Sequence, residues 1–123
     1  MTGMSTPEEA VQLARDWLDA WNSHDLDRIL AHYSETVEFV SPFVVPLLGD
    51  SSGTVRGKRA LRDYFAKALA RYPTLEFRLH KIFAGVRSVT VYYESVNDLM
   101  AAEVMELDDE RTITRVLAHY APR

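Results

Sequence analysis

Glu103 lies in the run Ala101-Ala102-Glu103-Val104-Met105, which is otherwise apolar. On an alternating strand it shares a face with Met105 and Leu107, both residue types of a core. A carboxyl drawn into such surroundings loses hydration, so its pKa rises and it can donate to a ligand carbonyl. The plainer alternative is an acid at the sheet rim or one paired with an arginine. Tyr92 and Tyr93 sit on the preceding strand and point to opposite faces. If Asn97-Asp98 forms a tight two-residue hairpin, Tyr92 falls across from Glu103, with Glu94 on the same face. Glu103 and Tyr92 are therefore the expected catalytic pair, able to pass a proton or share a hydrogen bond. Against this stands the reading of both tyrosines as packing residues.

The four histidines offer less. His24 falls in an interhelical turn, His32 on the polar side of a short helix, and His80 among charged neighbours. His119 is expected to point away from the side that Tyr120 faces. None stands at HxH or HxxxH spacing and the chain has no cysteine, so no metal or cofactor is expected. The missing cysteines also exclude disulfides and thiolate catalysis.

These residues need elements to hold them. Thr6-Pro7-Glu8-Glu9 is a helix start with a capping box, and Ala10, Ala14, Trp17 and Trp21 follow at helical spacing. Asp25 caps a second, shorter helix with the apolar face Leu26, Ile29, Leu30 and Tyr33. Residues 36–40 read as a strand, and residues 42–55 as a loop that is either a lid over a cavity or a tucked connection. After Gly57 a third helix carries Leu61, Tyr64, Phe65, Ala68, Leu69 and Tyr72 on one stripe, and Pro73 ends it. Strands follow at 75–84, 88–97, 100–108 and 112–120. Several are apolar at both parities, as if one face met the helices and the other a second subunit.

The 123 residues suffice for one domain, spanning 1–123, with a single core. A net charge of −4 with no basic run argues against nucleic acid. No apolar run reaches the roughly 20 residues of a membrane span, and the first residues lack a secretory pattern, so no membrane contact and a cytoplasmic location are expected. Helices ahead of a meander of strands give an α+β fold: a curved, cone-shaped antiparallel or mixed sheet wrapped around three helices, with an internal cavity.

WNSHDLDRILAHYSETVEF, VRGKRALRDYF and AAEVMELDDERTITRVLAHY, in that order and spacing, resemble the nuclear transport factor 2-like superfamily. That group includes the steroid Δ-isomerases and the SnoaL-like polyketide cyclases, and the resemblance covers nearly the whole chain. It implies one pocket per protomer and a homodimer formed through the sheet face. It also carries a position-by-position expectation. The isomerase's oxyanion tyrosine falls on Trp17, its late-strand acid on Glu103, and its base on Phe39 or Ser41, neither of which can take a proton from carbon. Trp17, Phe39, Ser41, Tyr64, Met105 and Tyr120 are the expected ligand-binding residues, with Ser41-Pro42 shaping a turn at the pocket mouth. The Asp-Arg-Asp set of the related epoxide hydrolases is not assembled either, although Arg115 is present.

Two functions remain. One is a protein that binds a small apolar or aromatic ligand, isomerase/cyclase-like or hydrolase-like, using Glu103. The other is a non-catalytic dimeric interaction module whose cavity is filled by side chains.

Overall fold

A computed structural model describes residues 6–123. Helix α1 (Pro7–Ser23) begins as the sequence reading expects: the Thr6 hydroxyl accepts from the Glu9 amide, and the Glu9 carboxylate accepts from the Thr6 amide. Its inward stripe is Ala10, Ala14, Trp17, Ala20 and Trp21. His24, at φ 60, ends it in the left-handed region. Asp25 then caps α2 (Leu26–Leu30) by accepting from the Asp27 and Arg28 amides. Tyr33, expected on the face of α2, instead opens strand β1 (Tyr33–Val40) and is fully buried there.

Residues 42–55 are not the irregular loop expected. They form a short helix, α3 (Val44–Leu48), and a strand, β2 (Thr54–Arg56), that runs antiparallel to β1. The segment is tucked against the body: Val44 and Ser41 are buried, and the Ser41 amide donates to the Gly53 carbonyl at 2.9 Å. Gly53 has φ +66, and a Cβ there would lie 3.3 Å from the Ser41 carbonyl oxygen. Any larger residue would strain this turn.

Helix α4 (Lys58–Arg71) buries Leu61, Tyr64 and Phe65. Residues 75–77, expected as the start of a strand, are held by α1 instead. Asn22 donates to the Phe77 carbonyl at 2.9 Å and accepts from its amide at 2.7 Å, the two bonds a neighbouring strand would supply. His24 Nε2 sits 2.7 Å from the Leu75 carbonyl. The remaining strands are β3 (Arg78–Gly85), β4 (Ser88–Glu94), β5 (Leu99–Leu107) and β6 (Ile113–Pro122).

The sheet order is β2-β1-β6-β5-β4-β3, with β1 parallel to β6 and every other pair antiparallel. One face carries the core: Val89, Val91, Tyr93, Ala101, Met105, Val116 and Ala118 meet the helices. The result is the expected α+β cone with an open curved sheet. The other face holds a middle row of Phe83, Thr90, Val104 and Leu117, beside Tyr92 and Ala102. Charged networks flank that band: Arg56–Glu38–Arg115–Glu106 on one side, and on the other Glu94, which pairs with Arg123 and lies 2.6 Å from His80 Nε2.

Candidate functional site

Strand register decides which side chains meet Glu103. Val91 pairs with Glu103, which pairs with Ala118, while Tyr93 pairs with Ala101 and then Tyr120. Facing partners share a side of the sheet, so Glu103, Tyr93 and Tyr120 all point toward the helices. Glu103 is only 3% exposed, and its Oε1 accepts from the Tyr93 hydroxyl at 2.7 Å.

Tyr92, the expected partner, is on the outside, paired with Ala102 and 38% exposed. The cause is the hairpin. The Ser95 amide donates to the Leu99 carbonyl, so the loop has three residues, Val96-Asn97-Asp98, with Asn97 and Asp98 both at φ 57. A two-residue loop would shift the register by one position, and a shift of one exchanges the faces. Tyr93 occupies the place assigned to Tyr92.

Around the pair stands a wall of rings. Trp17 stacks on Phe77 at 5.9 Å and meets Tyr93 edge-on at 5.4 Å, and Phe77 lies 4.7 Å from Tyr93. The Trp17 indole N–H donates to the Tyr33 hydroxyl at 2.9 Å. Trp17 therefore presents a ring to the site, and its donor is already occupied. Tyr33, assigned by periodicity to a helix face, is the residue that takes that donor. Trp21 Nε1 is buried beside the Tyr33 hydroxyl without completing a hydrogen bond.

These residues enclose a hollow between helices and sheet. Trp17, Phe39, Tyr64 and Tyr120 line it, together with Trp21, Phe43, Phe65, Tyr72, Phe77, Tyr93 and Glu103. The space open to a water-sized body is about 50 Å³; counting every crevice and the solvent at the mouth raises it to about 470 Å³. Phe43, half-buried, closes the mouth by meeting Tyr120 edge-on at 4.7 Å and Tyr72 at 6.0 Å. Met105 is wholly buried and packs outside the lining. Ser41 is also outside the lining: its hydroxyl accepts from the Phe43 amide at 3.2 Å and lies against the phenols of Tyr64 and Tyr120.

The electrostatics follow from burial. Loss of hydration pushes the Glu103 carboxyl up to about 7, against the opposing pull of the Tyr93 hydrogen bond. The same burial, with the nearby Glu103 charge adding to it, pushes the Tyr33, Tyr93 and Tyr120 phenols well above their ordinary range. Tyr64 is raised by burial too, with the Ser41 hydroxyl pulling it back. Glu103 therefore changes charge near neutrality while the phenols around it stay neutral donors. The arrangement can hold or release one proton at a carboxyl shielded from water.

The other candidates lie elsewhere. Arg115 binds Glu38 at 3.0 Å and Glu106 at 3.5 Å on the outer face, away from Glu103. His119 is exposed opposite Ala102, and His80 pairs with Glu94 at 2.6 Å. Among the described residues no group of three His, Cys, Asp or Glu could hold a metal ion, and no helix is long and apolar enough to cross a membrane.

Comparison with known proteins fits this architecture. The SnoaL-like domain family matches residues 14–120. A SnoaL-like protein of unknown function from Burkholderia thailandensis is 41% identical, covering 96% of this chain and 98% of that one, with a TM-score of 0.92. A candidate ketosteroid isomerase from Kribbella flavida is 19% identical over 94% of this chain and 80% of its own, with a TM-score of 0.73. The epoxide hydrolase/cyclase-like enzyme SalBIII, of pyran ring formation in the polyether salinomycin, is 18% identical over 93% and 92%, with a TM-score of 0.71. At such identities the last two share the fold alone. No curated protein gives a significant match. The family match over most of the chain and the helix-filled cone together make this protein a member of the SnoaL-like domain family.

Proposed function

We propose that the protein binds a small apolar or aromatic molecule in the hollow and handles a proton on that molecule through Glu103 and Tyr93, as an isomerase/cyclase-like enzyme of the cytoplasm. The observation that carries this reading is a carboxyl 3% exposed, bonded to one phenol and facing a cavity walled by aromatic rings. A buried acid with so few partners costs stability, and a chain gains nothing structural from it that an amide would not supply. Among the described residues the lining holds no second carboxylate, so one group must both take and return the proton. That suits a rearrangement within one molecule better than a hydrolysis that needs a separately activated water.

The hollow is smaller than the roughly 300 Å³ that holds a drug-sized ligand, so binding requires Phe43 and Tyr72 to swing outward. A panel of cyclic ketones and phenols, titrated against the protein by nuclear magnetic resonance, tests the reading. Shifts at Tyr93, Phe43 and Tyr120 that disappear in Glu103→Gln support it. No shifts with any member of the panel, or equal shifts in the variant, would overturn it.

The volume of about 50 Å³ favours a second reading, a homodimeric interaction module with its cavity filled by its own side chains. The dimer would use the sheet's outer face, where Phe83 is 49% and Tyr92 38% exposed within a band framed by ion pairs.

A further inference from the structure

We propose that the ligand of this hollow carries a protonated amine, so that the class recognised is a small organic ammonium with an apolar body. This rests on the preceding reading that the hollow binds a small molecule through Glu103, and it names the atom that Glu103 meets.

Glu103 is an acid without a counter-charge. Among the described residues its one side-chain hydrogen bond is to Tyr93, and no lysine, arginine or histidine of those residues lines the hollow. Every other titratable group facing it is a phenol: Tyr93 from β4, Tyr33 from β1, Tyr120 from β6 and Tyr64 from α4. From α1 the lining adds Trp17 and Trp21, both uncharged rings. None of these can balance an ionised carboxylate. A cation entering from outside can, and an ion pair in a dry, ring-walled space is far less screened than one at the surface.

The walls themselves favour a cation. Trp17, Trp21, Phe77 and Tyr93 lie within 6 Å of one another, centroid to centroid, along the contacts Trp17–Phe77, Trp17–Tyr93, Trp21–Phe77 and Phe77–Tyr93. Aromatic faces carry negative potential and attract ammonium groups, most strongly where water is excluded. Other ligand classes fit worse. An anion would meet the charge of Glu103 and find no cation in the lining. A neutral carbonyl could take a hydrogen bond from the Tyr64 or Tyr120 phenol but would leave the Glu103 charge without a counter-ion. The free space, about 50 Å³, exceeds the roughly 30 Å³ share of one water and suits a compact head group, with the apolar body directed toward Phe43 and Tyr72.

The test compares three near-isosteric probes: benzylammonium, benzyl alcohol and benzoate, each titrated calorimetrically at pH 6 and pH 8. Benzylammonium is expected to bind at least tenfold tighter than benzyl alcohol at pH 8, and benzoate not at all. Because the ion pair needs the carboxylate form, its affinity should fall about tenfold from pH 8 to pH 6. In Glu103→Gln benzylammonium should lose its advantage over benzyl alcohol. The wild-type pH profile stands by itself should that variant fold poorly. Benzyl alcohol binding as tightly as benzylammonium, or benzylammonium binding more weakly at pH 8 than at pH 6, would overturn the amine inference and leave the small-molecule site standing. Binding by none of the probes, nor by the ketones and phenols above, would remove the site itself.

Discussion

Replacing Glu103 by glutamine should change how stability depends on pH, and the size of the change follows from the burial of the acid. In an unfolded chain this carboxyl titrates near 4.5; in the fold it keeps its proton until about 7. Between those values the folded state binds one proton more than the unfolded state, so stability falls as pH rises. The loss begins above about 4.5 and is complete once pH has passed about 7. A difference of roughly 2.5 units, at 1.36 kcal/mol each, gives about 3 kcal/mol. Glutamine keeps the shape and can still accept from Tyr93, but it cannot ionise. Urea denaturation at pH 4.5 and pH 8 reads the difference directly. With an m-value of about 2 kcal/mol/M for a chain of this size, the wild-type midpoint should drop by roughly 1.5 M more than that of Glu103→Gln. All other titrating groups cancel in the comparison. If the two proteins lose the same midpoint between those pH values, Glu103 is not the desolvated acid described here.

Tyr93→Phe removes the donor that stabilises the charged carboxyl. The Glu103 pKa should therefore rise by about one unit or more, while Tyr92→Phe leaves it unmoved; carbon-13 chemical shifts of labelled glutamate report both. Tyr33→Phe and Trp17→Phe each break the buried 2.9 Å hydrogen bond, and each should cost about 1–3 kcal/mol in thermal or urea unfolding. Their combination should cost less than the sum, because the second change finds the bond already broken. On the second reading, Val104→Lys puts a charge in the apolar band of the outer face and should turn the proposed sheet-to-sheet dimer into a monomer in sedimentation, with the circular dichroism spectrum unchanged. Asp98→Gly relieves a positive φ of 57° and should stabilise the β4–β5 hairpin by a few tenths to about 1 kcal/mol, seen as a higher melting temperature.

Much of the fold is legible in the sequence because its signals are local. The Thr6 capping box, the Asp25 cap and the α4 stripe ending before Pro73 each depend on residues within four positions of one another. Glu103 is only half legible: its parity groups it with Met105 and Leu107, but Ala102 and Val104 are apolar as well, and only the pairing with Val91 and Ala118 turns it inward. What fails depends on partners far along the chain. Tyr92 and Tyr93 look alike locally, and only the length of the Val96-Asn97-Asp98 loop decides between them. Tyr33 fits the apolar spacing of α2, but pairing with Ile113 draws it into a strand. The 42–55 segment has prolines, glycine and serines typical of a loop, and its helix forms because Val44 is buried against the body. The extended look of residues 75–77 is real, but their partner is Asn22, a side chain that no strand pattern reveals.

The parallel pairing of β1 with β6 has a consequence for how the molecule is made. The antiparallel neighbour of β1 is three-residue β2, and its other neighbour is synthesised about 75 residues later. Until that last strand leaves the ribosome, Val37 and Phe39 sit on a ribbon too small to persist in water. The hollow then lacks one wall, and the rings destined to surround Glu103 stand bare to the cell. The closing strand is thus the seam of the molecule, and a chaperone that shields the nascent chain would be most needed in the interval before it is sewn.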